Sequence, residues 1–286
     1  MDKQNVLLSD VVIKFAGDSG DGMQLTGSQF TNNSALMGLD LATFPDFPAE
    51  IRAPIGTLPG VSGFQLRFSS NPVFTPGDLC DVLVAMNAAA LKVNLRSLKP
   101  GAKIIANVDG FDTKNLRLAN YPEGVHPLED GSLDSYDLIK IDVTKMTREA
   151  LKEFTDLGIK EKDRAKNMFV LGFLYWMYNR NLDNTINFLQ DKFGKKQTIL
   201  NSNIKALQAG YNFGDTTETF TTRFEVEKAR MPAGKYRGIM GNQALTYGLI
   251  AASQKSRLPL FLGSYPITPA SDILHDLSKY KTFGVR

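Results

Sequence analysis

Cysteine occurs once in the 286 residues, as Cys80. One thiol forms no internal disulfide, and one thiolate cannot anchor a four-cysteine iron–sulfur cluster. Histidine is nearly as scarce. His126 and His275 lie far apart with no ligand spacing around either, so both read as surface or packing residues and no metal site is expected. Charge of one sign is also missing: 33 Lys and Arg offset 30 Asp and Glu to leave a formal charge of +3, without a basic block. That argues against a nucleic-acid partner. The most apolar segment, "MFVLGFLYWMY" (168–178), is too short to cross a bilayer and reads as a buried core helix, so no membrane partner is expected. The N-terminal "MDKQNVLLSD" lacks a basic start followed by an apolar stretch. No signal peptide is read there, and a cytoplasmic location is expected.

What remains is an ordinary globular composition, 43% hydrophobic and 22% charged, in a chain long enough for about two domains. Residues 11–16 read as a buried strand, followed by the glycine-rich turn "AGDSGDG" (16–22) and a helix ending near Gly38. "LDLATFP" is a second strand, "DFPAEIRAPIGTLPG" a long surface loop, and "VSGFQLRFS" an alternating strand. Then "DVLVAMN" (81–87), "AAALKVNLRSL" (88–98) and "AKIIANV" (102–108) form a βαβ pattern, which implies parallel strands and a crossover helix. A strand follows at 137–143, then helices near 146–156, 163–179 and 183–210. Residues 214–235 are polar and Thr-rich and read as a linker. Beyond them come a helix (241–253) with small residues suited to close packing, a strand, the turn "YPITPAS" and another helix. A single strand cannot complete a sheet in that last piece, so the sequence is expected to be part of something longer.

A strand, a glycine turn and a helix N-terminus make an anion site, because backbone N–H groups point outward there. Gly17, Gly20 and Gly22 would let a ligand approach, and Ser19 would add a hydroxyl. The spacing is GxxGxG rather than the dinucleotide GxGxxG, no GK[ST] follows, and Asp18 and Asp21 oppose a phosphate. A tight turn with no ligand is an equal reading of the same residues.

Several stretches together resemble one family. "FAGDSGDGMQLTG", "PAEIRAPIGTLPGVSGFQLRFSS", "VAMNAAALKVNLRSLKPGAKIIAN" and "NMFVLGFLYWM" are similar to the gamma domain of 2-oxoacid:ferredoxin oxidoreductases. "GNQALTYGLIAA" followed by "YPITPASDIL" resembles the start of that family's thiamine-pyrophosphate pyrimidine domain. The order, gamma ahead of alpha, is that of the alpha subunits of 2-oxoglutarate-type enzymes. The resemblance implies an α/β fold: a Rossmann-like parallel-sheet gamma domain over 1–213, a linker over 214–235, and the incomplete start of a pyrimidine domain over 236–286.

The resemblance also implies a chemistry: oxidative decarboxylation of a 2-oxoacid, 2-oxoglutarate first among them, with the acyl group passed to coenzyme A and electrons to ferredoxin. Thiamine pyrophosphate with Mg2+ would be bound together with a beta subunit. No GDG motif with the long spacing to Asn is visible here. Iron–sulfur clusters would sit only in that partner. The glutamate that activates the aminopyrimidine ring would lie downstream of Arg286.

On these grounds Thr268, held between two prolines, is the candidate for contacting the substrate carboxylate or the cofactor. Its alternative is to cap the next helix, a role Ser271 fits better. Tyr265, Pro266 and Ile267 join it as cofactor-binding candidates, with a packed aromatic as the alternative for Tyr265. Gly17, Ser19, Gly20 and Gly22 are candidates for an anionic part of coenzyme A. So is Arg52, unless it is a solvated charge or pairs with Glu50. Asn87 either faces the crevice or caps the helix after it, and Cys80 reads as a packed small residue. Three rivals stay open: another 2-oxoacid (pyruvate, a branched-chain oxoacid or indolepyruvate), a non-catalytic assembly module, and an NAD-dependent dehydrogenase.

Overall fold

The computed structural model describes residues 4–50, 53–217 and 221–285. The chain divides between Met231 and Pro232 into two compact units.

The first unit is built on a six-stranded sheet. Its strands are β2 (Asp10–Asp18), β3 (Asp40–Asp46), β4 (Val61–Ser69), β5 (Cys80–Ala85), β6 (Leu98–Asn107) and β7 (Asp137–Ile141), in the order β3-β4-β2-β5-β6-β7. From β2 through β5 and β6 to β7 the pairing is parallel. β4 runs antiparallel to both β2 and β3, so the parallel sheet that was expected is present and carries one antiparallel strand. The cause lies in the connection. The described residues of the Pro/Gly loop before β4 hold no crossover α-helix, and a chain that returns without one pairs antiparallel.

Helices cover both faces. On one, α1 (Met23–Leu36), α6 (Lys166–Met177) and α8 (Gln197–Thr216) pack with α4 (Val143–Ala150) and α7 (Asp183–Phe193) over a core that includes Phe15, Phe30, Phe68, Tyr175 and Trp176. On the other, α2 (Ala88–Asn94) lies over Ala16, Leu83, Ile104 and Phe111. The short helices α3 (Thr113–Leu118) and α5 (Ile159–Asp163) fill connections. As its composition implies, α6 is buried along almost its whole length. It fits there because glycines let it approach α8: a Cβ on Gly172 would lie 1.9 Å from the Leu207 carbonyl oxygen, and one on Gly210 1.8 Å from that of Phe169.

Four further differences have physical causes. The helix expected over 183–210 is two, because Lys196 leaves helical geometry (φ −127°, ψ 74°) after Gly194. Pro100–Gly101 lies inside β6 rather than before it, at an irregularity of the β5–β6 register. The stretch read as linker carries β8 (Thr222–Val226), which pairs in parallel with β1 (Gln4–Leu8), a strand too short and mixed to stand out in sequence.

The fourth difference lies in the second unit, which holds α9 (Gly241–Ser256) and α10 (Ser271–Leu277), with Tyr247 and Tyr280 edge to face at 5.9 Å. The strand expected between them is reduced to a single bridge, Leu260 with Val285. A strand needs neighbours to satisfy its backbone, and this one has almost none. The small residues of α9 face open space: a Cβ on Gly248 would meet nothing within 4 Å.

Candidate functional site

β2 is followed by α1 and β5 by α2, and these two helices leave toward opposite faces of the sheet. Chain direction therefore splits between two adjacent strands, the arrangement that opens a ligand crevice at the carboxyl ends of an α/β sheet. A cavity of about 160 Å³ lies there. Asp18, Asp21, Ile55, Met86, Asn87, Asn107, Asp109, Asn115, Thr144 and Lys166 are among its lining residues. A roomier hollow, about 650 Å³, is bordered by Thr113, Arg117, Tyr121 and His126, away from the glycine turn and its charged groups.

The turn itself is tightly determined. Gly17 belongs to β2, where an added Cβ would come within 2.6 Å of Asp21 Oδ2. Gly22 has φ +74°, a left-handed conformation that L side chains rarely adopt, and its Cβ would sit 2.5 Å from Asn167 Nδ2. Gly20 is different. Its Cβ would meet nothing within 4 Å, and with Ser19 it lies exposed on the outer turn.

The two acids turn inward. Asp21 Oδ2 accepts from the Asp18 N–H at 2.8 Å, and Asp21 Oδ1 pairs with Lys166 Nζ at 2.7 Å. Asp18, 7% exposed, accepts from Gly56 N at 3.0 Å and from Asn87 Nδ2 at 2.9 Å. Burial raises its carboxyl above the usual range, and the Gly56 N–H pulls the other way. Asn87 caps α2, accepting from Ala90 N at 2.8 Å, so both of its sequence readings hold at once. Asn107 donates to the Met86 carbonyl at 3.2 Å and accepts from Val143 N at 3.1 Å. Asp109 accepts from Thr144 N at 3.1 Å. Burial first, then Asp109 beside it, raises the Asp142 carboxyl.

A crevice with these acids is poorly suited to a bare phosphate. Asn87 and Asn107 are engaged internally, but the Asn115 carboxamide and the Thr144 hydroxyl also line it, and neutral groups that donate and accept suit an uncharged polar chain. Sequence reasoning noted Asp18 only as an obstacle to phosphate and missed Lys166, which arrives on α6 from far along the chain. Arg52 lies outside the described residues.

The other candidates belong to the second unit. Tyr265, Pro266, Ile267 and Thr268 are all exposed; Tyr265, 78% exposed, is not a packed aromatic. Asn242 Nδ2 donates to the Pro269 carbonyl at 3.0 Å, tying the turn to α9. The cap at α10 is not Ser271. Ala270 occupies that position without a side-chain bond, because the turn is already wound: Ser271 N and Oγ both donate back to the Ile267 carbonyl, at 3.0 and 3.2 Å. Thr268 does not cap either, and among the described residues its hydroxyl has no hydrogen-bond partner. Cys80 is buried, and burial pushes its thiol up to about 11. It stays protonated and is a poor metal ligand. No helix among the described residues is long and apolar enough to cross a membrane.

Fold and crevice together define a mixed α/β unit with a cavity at the strand switch point. The chain belongs to the pyruvate ferredoxin/flavodoxin oxidoreductase family, whose pattern matches residues 12–213. It is 52% identical over 280 residues to the 2-oxoglutarate oxidoreductase subunit KorA of Mycobacterium tuberculosis, covering 97% of this chain and 42% of that protein. Among solved structures it is similar to the 2-oxoglutarate:ferredoxin oxidoreductase of Magnetococcus marinus with 2-oxoglutarate, coenzyme A and succinyl-CoA bound. There the TM-score is 0.71 and the identity 27%, over 97% of this chain and 43% of that one. The chain thus spans under half the length of these relatives.

Proposed function

We propose that the chain acts as part of a 2-oxoacid:ferredoxin oxidoreductase. The reaction converts 2-oxoglutarate, coenzyme A and two oxidised ferredoxins to succinyl-CoA, carbon dioxide, two reduced ferredoxins and a proton. The observation that carries this reading is the 52% identity to a 2-oxoglutarate oxidoreductase subunit along 97% of the chain. Thiamine pyrophosphate, when bound, supplies the carbon nucleophile and the electron sink. Thr268 suits a contact with that cofactor or the substrate carboxylate, since its hydroxyl is exposed and uncommitted in a turn tied down through Pro269. The crevice of the first unit suits the uncharged amide-bearing arm of coenzyme A, with the phosphates lying outside its acids. Gly17 and Gly22 shape the turn, and Ser19 and Gly20 face outward for contact. The lone buried thiol of Cys80 does not fit an iron–sulfur cluster, so the clusters are assigned to a beta partner; the magnesium diphosphate site is assigned there too, because this sequence has no GDG motif with the long spacing to Asn.

The test is to co-produce the full-length protein that carries this chain with such a partner and assay a panel of 2-oxoacids for coenzyme A-dependent reduction of ferredoxin. Activity highest with 2-oxoglutarate is expected; a preference for pyruvate, indolepyruvate or a branched-chain oxoacid overturns the substrate assignment. A Gly20→Val arm tests the turn. Its added side chain starts in open space, so the fold should survive while the KM for coenzyme A rises.

A further inference from the structure

One loop forms a wall of the crevice, and a single carboxylate fastens it. Ile55 lines the crevice with an apolar side chain 78% exposed. The next residue, Gly56, is pinned on two sides. Its N–H donates to Asp18 Oδ1 at 3.0 Å. Its α-carbon (φ +83°) sits so near α3 that a Cβ would come 3.1 Å from Asn115 Oδ1. The other oxygen of Asp18 accepts from Asn87 Nδ2 at 2.9 Å, while Asn87 Oδ1 is committed to the cap of α2 at 2.8 Å.

This small network has no slack. Both groups facing Asp18 are donors, so the residue must offer two acceptor atoms at once, which an ionised carboxylate does and an amide does not. Asn87 cannot turn over without losing the cap. Asp18 thereby joins the end of β2, the start of α2 and the Ile55–Gly56 wall.

We propose that Asp18 is a positioning residue, whose paired hydrogen bonds to Gly56 and Asn87 hold the Ile55 wall in place for the arm of coenzyme A. The proposal rests on reading the crevice as the coenzyme A site. Asp18 touches no reacting atom in this scheme. Its loss acts on the binding of the acyl acceptor and leaves the steps before acyl transfer alone.

The experiment uses the full-length protein that carries this chain, assembled with a beta partner. Asp18→Asn supplies one acceptor and one donor, so it keeps one of the two bonds and sets a donor against a donor at the other. The KM for coenzyme A should rise about fivefold or more, the worth of one hydrogen bond. The KM for 2-oxoglutarate, and kcat at saturating coenzyme A, should not move. The double variant Asp18→Asn/Asn87→Asp restores the pattern: the amide at 18 accepts from Gly56 and donates to the carboxylate at 87, which still caps α2. Its KM for coenzyme A should return to within about twofold of the parent.

Amide hydrogen exchange at residues 53–60 separates the two levels of the argument. Gly56 protection lost in the single variant and regained in the double, together with the KM pattern, supports the proposal. Unchanged protection in the single variant overturns the latch. Protection that follows the latch while the KM for coenzyme A stays constant leaves the latch standing, overturns its role in binding and refutes the crevice as the coenzyme A site. A double variant that folds but is not rescued also overturns the proposal, since charge at position 18 rather than bond geometry would then be what matters.

Discussion

A hydroxyl without a hydrogen-bond partner among the described residues is the plainest signal at the scale of single residues. Thr268 is exposed, Ala270 rather than Thr268 or Ser271 sits at the α10 cap, and the carbonyl of Pro269 is held by Asn242. The alternative role as a helix cap is therefore gone, and with it the stability such a cap would contribute, on the order of 1 kcal/mol. Thr268→Val is nearly isosteric at a surface position, so stability should stay within about 0.5 kcal/mol. In the assembled enzyme, turnover should fall about a hundredfold or more, as for loss of one preorganised donor at a reacting centre. Melting curves and initial rates on the same preparation check it; normal turnover would show that Thr268 touches neither substrate nor cofactor.

At the scale of elements, the glycines of α6 and α8 decide whether the largest core can close. An alanine normally stabilises a helix interior over glycine by about 1 kcal/mol. At Gly172 that gain is outweighed, because the new methyl would fall 1.9 Å from the Leu207 carbonyl. Neither backbone can yield without parting the helices, and overpacking typically costs about 1–3 kcal/mol or more. Gly172→Ala should therefore lower the urea midpoint. Gly248→Ala in α9, with open space around it, should leave stability unchanged or slightly raised. Equal behaviour of the two variants would refute the close-packing account.

The same elements show what the sequence could carry. α6 was legible because an unbroken apolar run has only one place to go, and the βαβ unit because its helix and strands differ in period. The antiparallel β4 was not legible from its own residues; its direction depends on a loop whose described residues form no crossover α-helix. The β1–β8 pair was hidden because each strand becomes satisfied only by the other, across most of the chain. In α9 the small residues suggested close packing, yet pattern alone does not say against what. For the site, the glycines and the YPITP turn stood out locally. The Asp18–Asn87–Gly56 network did not, because it is assembled from three elements separated in sequence.

For the whole molecule, the proposed placement of the clusters in a partner is supported by one thiol. Electron transfer to ferredoxin by iron–sulfur clusters requires several cysteine thiolates. This chain offers Cys80 alone, buried, with its thiol pushed up to about 11 by desolvation. Deprotonating it near neutrality would place a charge in the core between β5 and its neighbours, where water cannot reach. The isolated chain should accordingly purify without stoichiometric iron and without a visible cluster band. It should not reduce ferredoxin when given 2-oxoglutarate, coenzyme A, thiamine pyrophosphate and Mg2+. On the proposed function, the full-length protein combined with a cluster-bearing beta partner should show activity and absorption together. A Cys80→Ser variant of the assembled enzyme should keep the full iron content, as the proposed placement of the clusters in the partner requires. Loss of iron in that variant while the complex stays intact would place a cluster ligand in this chain and overturn the division.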